Sequence, residues 1–382
     1  MMHALESSLP PDPPEAVLLP GVVAAAVAHE GAEPLMIARL ADEDHAGAAA
    51  WDDFVRATPG SSFCHLSGWR RVVRESLGLE SVYLHALRAD GSLAGVLPLV
   101  RIRSALFGHS LVSVPYLNEG GPLGTPYAQR VLLDHAVEEA RLSRAGLLEL
   151  RSRHALPQHE EYGAARRKIT VLLELAPTAD ELFTRRFTTK LRTKIRRAQK
   201  EGLEVRFGPD QRAAFYHVLA RKLRDLGTPV HPRRFFEAIA REFPDLVQFC
   251  AAYAGRDIAA AGCGFFWNGE FEITWSGQLD RFRKQGANMT LYWALMQEAI
   301  RRGATMFNFG RCTPEGGTHE FKRQWGGYDI DLPWVQSPGG GATAPSAGDG
   351  GAMRLATSVW KGLPIPLANT IGPMLARRIP TY

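Results

Sequence analysis

Between residues 35 and 336 the chain runs twice through one order of elements: strand, helices, antiparallel meander, helix, closing strand. Apolar positions with a period of two mark the strands, and a period near 3.6 marks the helices. The first pass predicts a strand over 35–40, helices over 42–57 and 65–77, and strands over 82–87, 93–103 and 110–114. Ala89-Asp90-Gly91-Ser92 joins the first two meander strands as a hairpin. A helix over 127–144 and a strand over 147–151 close the unit. The second pass predicts strand 169–175, helix 180–200, strand 203–207, and helices 210–224 and 232–242. Strands 247–254, 257–266 and 270–278, helix 287–302, strand 305–309, a short helix near 318–323 and strand 329–335 follow. The repeat is one of architecture, not of sequence. It predicts two related α/β (α+β) domains, 35–168 and 169–336, packed together.

The segments outside this repeat read differently. Residues 1–34 are rich in Pro and Ala and are expected to be disordered, and 337–352 have the Gly, Ala and Pro content of a flexible linker. The tail, 353–382, regains Trp360 and several Leu and Ile, with Pro364, Pro366 and Pro373 preventing one long helix. It reads as folding back onto the body, with peripheral membrane contact as the alternative. No run approaches the roughly 18–20 apolar residues of a membrane span. Residues 16–28 are apolar but interrupted by Pro20, and no basic segment precedes them. The expected location is cytoplasmic, at the inner face of the membrane if the tail takes the alternative of membrane contact. The four cysteines lack CxxC spacing and the twelve histidines lack HExxH, so reduced thiols and no metal site are expected.

The net charge of +5 is local: eight basic residues and no acidic one lie between Arg185 and Lys200, so the remainder is net acidic. Phe183, Phe187, Leu191 and Ile195 form an i, i+4 apolar stripe, while Lys190, Arg192, Lys194, Arg196 and Arg197 cover the other faces. Like charges this dense repel one another unless an anion compensates. The pattern points to phosphate, on a pyrophosphate-linked substrate or a tRNA backbone, with a solvated basic face as the alternative. No aromatic platform interleaves the charges, so sequence-specific DNA binding is not expected.

Residues 305–311 read as a buried strand entering a glycine turn, which brings Asn308, Gly310 and Arg311 to a strand end where α/β folds present sites. Gly316-Gly317-Thr318 permits close backbone approach, with Thr318 expected to cap the next helix. Lys322 on that helix suits a phosphate or a developing oxyanion; a lysine snorkelling beside Trp325 is the other reading. Cys312 and His319 form a weak nucleophile–base candidate with no orienting third residue. Tyr116 and Asn118, in the loop 113–121, and Trp275, Asn288 and Tyr292, where meander meets helix, are candidate cleft residues. A connecting loop and core aromatics are the corresponding alternatives.

Lys190-Leu191-Arg192-Thr193-Lys194-Ile195-Arg196-Arg197-Ala198-Gln199-Lys200-Glu201-Gly202-Leu203-Glu204-Val205 resembles the basic helix-to-strand signature of the Fem transferases, which build peptidoglycan interpeptide bridges. Phe309-Gly310-Arg311 followed by Gly317-Thr318-His319-Glu320-Phe321-Lys322-Arg323-Gln324-Trp325-Gly326-Gly327 is similar to their Gly…Phe-Lys…Phe-Gly ending, with Trp325 where phenylalanine is usual. Gly95–Leu99, Leu111–Tyr116, Leu226–Val230 and Asn288–Trp293 look like hallmarks of a FemAB-related subgroup associated with exosortase (PEP-CTERM) and exopolysaccharide loci. The resemblance covers about 35–336. It implies two tandem GNAT-like (acyl-CoA N-acyltransferase) domains with mixed, largely antiparallel sheets, and none of the coiled-coil arm that some Fem proteins carry. It implies transfer of an aminoacyl or acyl group to an amine on an anionic, phosphate-bearing envelope or exopolysaccharide precursor. Lys322 would meet substrate phosphate or transition-state charge, Phe321 would shape the channel, and Arg192, Arg196 and Arg197 would form a basic wall. The donor would be aminoacyl-tRNA or acyl-CoA, with no permanently bound cofactor. No clear Arg/Gln-x-x-Gly-x-Gly/Ala pattern for CoA pyrophosphate is read in either half, and no residue declares itself a general base. A non-catalytic accessory protein of a polysaccharide assembly complex is the alternative function.

Overall fold

The computed structural model describes residues 33–338 and 351–379, except positions 106, 159, 161, 165 and 166. Residues 1–32 of the proline-rich start and 339–350 of the glycine-rich linker lie outside the described residues, while the linker expected over 337–352 is shorter, since Ser337 ends a strand and Gly351 begins a helix. The first half contains β1 Met36–Arg39, α1 His45–Ala57, α2 Trp69–Leu77, β2 Glu80–Leu87, β3 Leu93–Ser104 and β4 Gly108–Ser113. β5 Leu123–Gly124, α3 Pro126–Leu142, β6 Leu147–Leu150 and β7 Gly163–Ala164 complete it. The second half contains β8 Lys168–Glu174, α4 Ala179–Glu181, α5 Thr189–Gln199, β9 Glu204–Phe207, α6 Arg212–Leu226 and α7 Arg233–Glu242. β10 Val247–Ala254, β11 Asp257–Trp267, β12 Glu270–Gln278, α8 Ala287–Arg301, β13 Met306–Cys312, α9 Gly317–Arg323 and β14 Tyr328–Leu332 follow. Last come β15 Val335–Ser337, α10 Gly351–Gly362 and α11 Ile365–Ala376.

Two mixed sheets result. The first has the order β1-β2-β3-β4-β6-β15-β7, with β5 also pairing β3; the second has the order β14-β8-β13-β12-β11-β10-β9. Each is antiparallel apart from one parallel pair: β4 with β6, and β12 with β13. The architectural repeat thus extends to strand direction. β15 departs from the single strand expected over 329–335. Pro333 cannot donate to a ladder, so β14 stops at Leu332, and Val335–Ser337 cross over to pair β6 in the first sheet.

The helix expected over 180–200 is also interrupted. Residues 182–186 form a π turn, Phe187 is extended, and the Thr188 hydroxyl accepts from the Leu191 amide at 3.3 Å to start α5. The apolar stripe survives the break, with Phe187, Leu191 and Ile195 all buried.

Three cores hold the molecule. One fills the space between the first sheet and α3, and another lies between the second sheet and α5 and α8. The third is shared: it runs from the first sheet through α1 and α2 to α6, α7 and the other face of the second sheet. Phe63 stacks on Phe265 at 4.2 Å across this seam, and Trp69 meets Phe243 at 4.8 Å. The tail folds back on α6, burying Trp360, Ala368 and Ala376, and Tyr116 donates its hydroxyl to the Ala376 carbonyl at 3.0 Å. Among the described residues no helix is long and apolar enough to cross a membrane.

Candidate active site

The parallel strands β12 and β13 stay paired only as far as Glu272 and Asn308. Beyond that point β13 bulges at Gly310, where φ is +67° and a Cβ would lie 2.7 Å from the Ile273 carbonyl oxygen. Only glycine fits there. The rest of β12, residues 273–278, has no strand partner on that side among the described residues, so an open strand edge leads away from Glu272. At its far end the chain turns through Gly286, at φ +70°, into the fifteen-residue α8.

That turn is suited to an anion. The first amides of α8 point out of the helix, Arg283 and Lys284 are exposed beside them, and a Gly286 Cβ would touch Ala198 of the basic α5 at 2.9 Å. One of the amides, that of Asn288, already donates to Gln278 Oε1 at 3.1 Å. Arg283-Lys284-Gln285-Gly286-Ala287-Asn288 departs from the Arg/Gln-x-x-Gly-x-Gly/Ala pattern only at its last residue. The strict pattern therefore misses it, and one that allows Asn at the last position finds it.

At the near end of the open edge, Glu272 is 3% exposed, and both of its oxygens accept hydrogen bonds. Asn118 donates to Oε1 at 2.6 Å and Thr274 at 3.0 Å, while Asn308 donates to Oε2 at 3.2 Å. Asn308 is itself fixed, accepting from Thr170 at 2.5 Å and from the Gly310 amide at 2.8 Å. Burial, then the neighbouring carboxylates of Glu119 and Glu270, raise the Glu272 pKa to about 7, with Arg153 opposing. Arg153 bridges the two halves, bonding Glu119 at 2.8 Å and both oxygens of Glu270 at 2.6 and 2.8 Å. A cleft of about 170 Å³ opens onto this group between Ser61, Ser62, Trp267, Arg153, Glu270 and Glu272. Glu119 lies in the loop 113–121 already named as a cleft candidate, whereas Arg153, Glu270 and Glu272 carry no sequence signal of their own. The alternation of Glu270, Glu272 and Thr274 with apolar neighbours reads as a solvated strand face, yet the first half of the chain covers it.

Lys322 is 4% exposed, and its ammonium donates to the carbonyls of Gly310 at 2.6 Å and Arg311 at 2.9 Å. It straps the bulge of β13 to α9. Burial is the main reason its pKa falls to about 8, partly offset by Cys312. Phe321 packs edge-on to Tyr292 at 5.0 Å, and the Tyr292 hydroxyl lies 2.8 Å from Ser276 Oγ on the open edge of β12. Trp325 is fully buried between Phe187 and Tyr292, and Trp275 sits edge-on to Phe235 and Phe236 in the shared core.

Arg311 lies over Trp334 at 5.2 Å, as Arg151 does at 4.7 Å, and burial followed by Arg151 lowers its pKa to about 9, with Glu149 and Glu272 opposing. Thr318 is exposed inside α9 and caps nothing, because the helix starts at Gly317 with Gly316 in the capping position. His319 is held by Asp329 at 3.0 Å and by the Glu315 amide at 3.1 Å, so it forms no dyad with the buried Cys312. Lys190, Lys194, Arg196 and Arg197 are exposed and Arg192 is half-buried, and Lys194 reaches Gln324, just past the end of α9, at 2.8 Å. Among the described residues no group of three or more His, Cys, Asp or Glu is placed to hold a metal.

Residues 185–323 match the family model described as the acetyltransferase (GNAT) domain. Among solved structures, FemX is similar at 15% identity and a TM-score of 0.57, covering 76% of this chain and 95% of that one. A tandem GNAT protein from the clavulanic acid biosynthesis pathway is similar at 14% identity and a TM-score of 0.50, covering 81% and 99%. None of the curated proteins matches the chain in sequence. The fold is that of two tandem GNAT-like domains, and β12, α8 and β13 all lie within the matched residues.

Proposed function

We propose that the chain is an N-acyltransferase that takes an acyl group from an acyl-CoA thioester and passes it to an amine where β12 and β13 part. The observation that carries this reading is the open edge of β12, with a glycine turn at a helix N-terminus at one end and Glu272 at the other. The CoA pyrophosphate would sit on the amides and cations of the Gly286 turn, and the thioester would lie along residues 273–278. The amine acceptor would enter the cleft beside Trp267 as an ammonium ion. Glu272 takes a proton from it, and the neutral nitrogen then attacks the thioester carbonyl. The C–N bond forms, the C–S bond breaks, and one of the two protons left on nitrogen passes to the departing sulfur, leaving the amide N–H and a CoA thiol. Asn118, Asn308 and Thr274 orient Glu272, and Lys322 acts by holding the bulge at Gly310.

The acceptor we favour is an amine on an anionic cell-envelope or exopolysaccharide precursor, supported by the Fem-like and exosortase-associated motifs and by the exposed cations of α5. A CoA donor supports a cytoplasmic reaction. The same exposed cations favour aminoacyl-tRNA as the second reading of the donor.

The test is to incubate the folded protein with a panel of acyl-CoA thioesters, and separately with charged total tRNA. Lipid-linked sugar extract supplies acceptors, and amide products are sought by mass spectrometry. A CoA-dependent amide is expected. A product formed only with charged tRNA would replace the donor, and no amide with any donor would refute the enzyme in favour of an accessory role.

A further inference from the structure

The tail helices carry a surface that acyl transfer does not use. Of the eight large apolar side chains exposed among the described residues, four (Leu355, Val359, Leu367 and Met374) lie on α10 and α11. Leu355 and Val359 are one turn apart on α10, and Leu367 and Met374 are two turns apart on α11, so each pair shares a helix face. A fifth, Leu226, ends α6 where that helix abuts α10: a Cβ on Gly227 would lie 2.3 Å from Thr357. Single exposed apolar residues are ordinary, but five in one corner are not.

The charge of the tail itself has one sign. Residues 351–379 contain Arg354, Lys361, Arg377 and Arg378, and neither Asp nor Glu. Beside α11 an open groove of about 510 Å³ is lined by Arg233, Arg234 and Arg377 together with Pro373 and Met374, and Glu237 is its one acid. Arg233 lies over the Tyr216 ring at 4.8 Å, and Arg234 donates to the Ser76 carbonyl at 2.5 Å. The Arg377 side chain makes no ion pair or hydrogen bond among the described residues. The helices that display these groups are firmly held. Arg224 donates to the Leu363 carbonyl at 2.8 Å, Tyr116 donates to that of Ala376, and Gly372 fits closely against the backbone of Val230.

We propose that this face docks the protein on an anionic phospholipid bilayer, with Arg233, Arg234 and Arg377 meeting lipid phosphate and the apolar side chains entering the interface. A protein partner seats an anchor side chain in a central enclosed pocket. Here the groove is open and the apolar positions are spread over three helices, an arrangement suited to a fluid surface with cations beside exposed aliphatic groups.

The test is co-sedimentation of the full chain with vesicles of phosphatidylcholine alone, or with about a third phosphatidylglycerol, across a range of sodium chloride. Binding to the anionic vesicles only, weakening with salt, is expected. Arg377→Gln should weaken it about fivefold, the worth of one cation near an anionic surface. Leu355→Glu with Val359→Glu should weaken it by more than about tenfold, at an unchanged melting temperature. Equal binding to both vesicles, no binding to the anionic ones, or variants that sediment like the wild type would each overturn the proposal. So would displacement by inorganic phosphate at an ionic strength where sodium chloride displaces nothing, which would mark a site for a soluble anion.

Discussion

Replacing Lys322 with methionine separates a strap from a substrate contact. The stem of Lys322 is buried, and methionine retains most of its volume while removing the ammonium that reaches the Gly310 and Arg311 carbonyls. Each buried carbonyl left without its donor costs about 1–3 kcal/mol. Relief from burying a charge, which lowers the lysine pKa to about 8, offsets part of that. A net loss of about 2 kcal/mol follows, or roughly 2–3 °C in melting temperature for a protein of this size. The pH dependence supplies a second readout. Between about pH 8 and 10.5 the unfolded lysine still holds the proton that the buried one has released. Wild-type stability should therefore gain from rising pH across that window, and Lys322→Met should lack the gain. Calorimetric melts of both proteins at several pH values provide the comparison. A variant that melts with the wild type and follows the same pH slope would refute the strap and leave substrate charge as the role of Lys322.

Gly286→Ala places a Cβ 2.9 Å from that of Ala198 on a backbone at φ +70°. It should cost about 1–2 kcal/mol in a melt and weaken CoA binding by roughly tenfold in calorimetric titration. Asn118→Ala removes a hydrogen bond to the ionised form of Glu272, so the Glu272 pKa should rise further. The acidic limb of the pH–rate profile should then shift upward by about one unit, whereas a purely structural role would lower the rate without moving the limb. Thr188→Ala removes the cap that starts α5 and should lower stability by about 1 kcal/mol, read from urea midpoints.

What the sequence made legible was local. The two passes of strands and helices, the Gly91 hairpin and the buried strand ending at Gly310 all follow from periodicity and turn chemistry within short windows. Asn118 and Asn308 also stood out as polar residues at strand ends, and the structure joins both to one carboxylate. That carboxylate was hidden, because Glu270 and Glu272 alternate with Phe271 and Ile273 as a half-solvated strand would. Only the packing of the first half against the second, through Arg153 and Asn118, buries them. The break at Phe187 was masked by an apolar stripe that continues through it, and the cross-over of β15 depends on Pro333 ending a ladder whose partners are distant in sequence.

The central claim is that Glu272 takes the proton from the acceptor amine. It is tested most directly by comparing Glu272→Gln with the wild type on two nucleophiles: the amine acceptor found by mass spectrometry, and hydroxylamine, which is already neutral near about pH 7 and needs no base. The account predicts that the variant loses at least about a hundredfold in kcat/KM with the amine, together with its acidic limb near pH 7, while transfer to hydroxylamine stays within a few-fold. Equal losses with both nucleophiles, or an amine rate and pH profile unchanged from wild type, would contradict it.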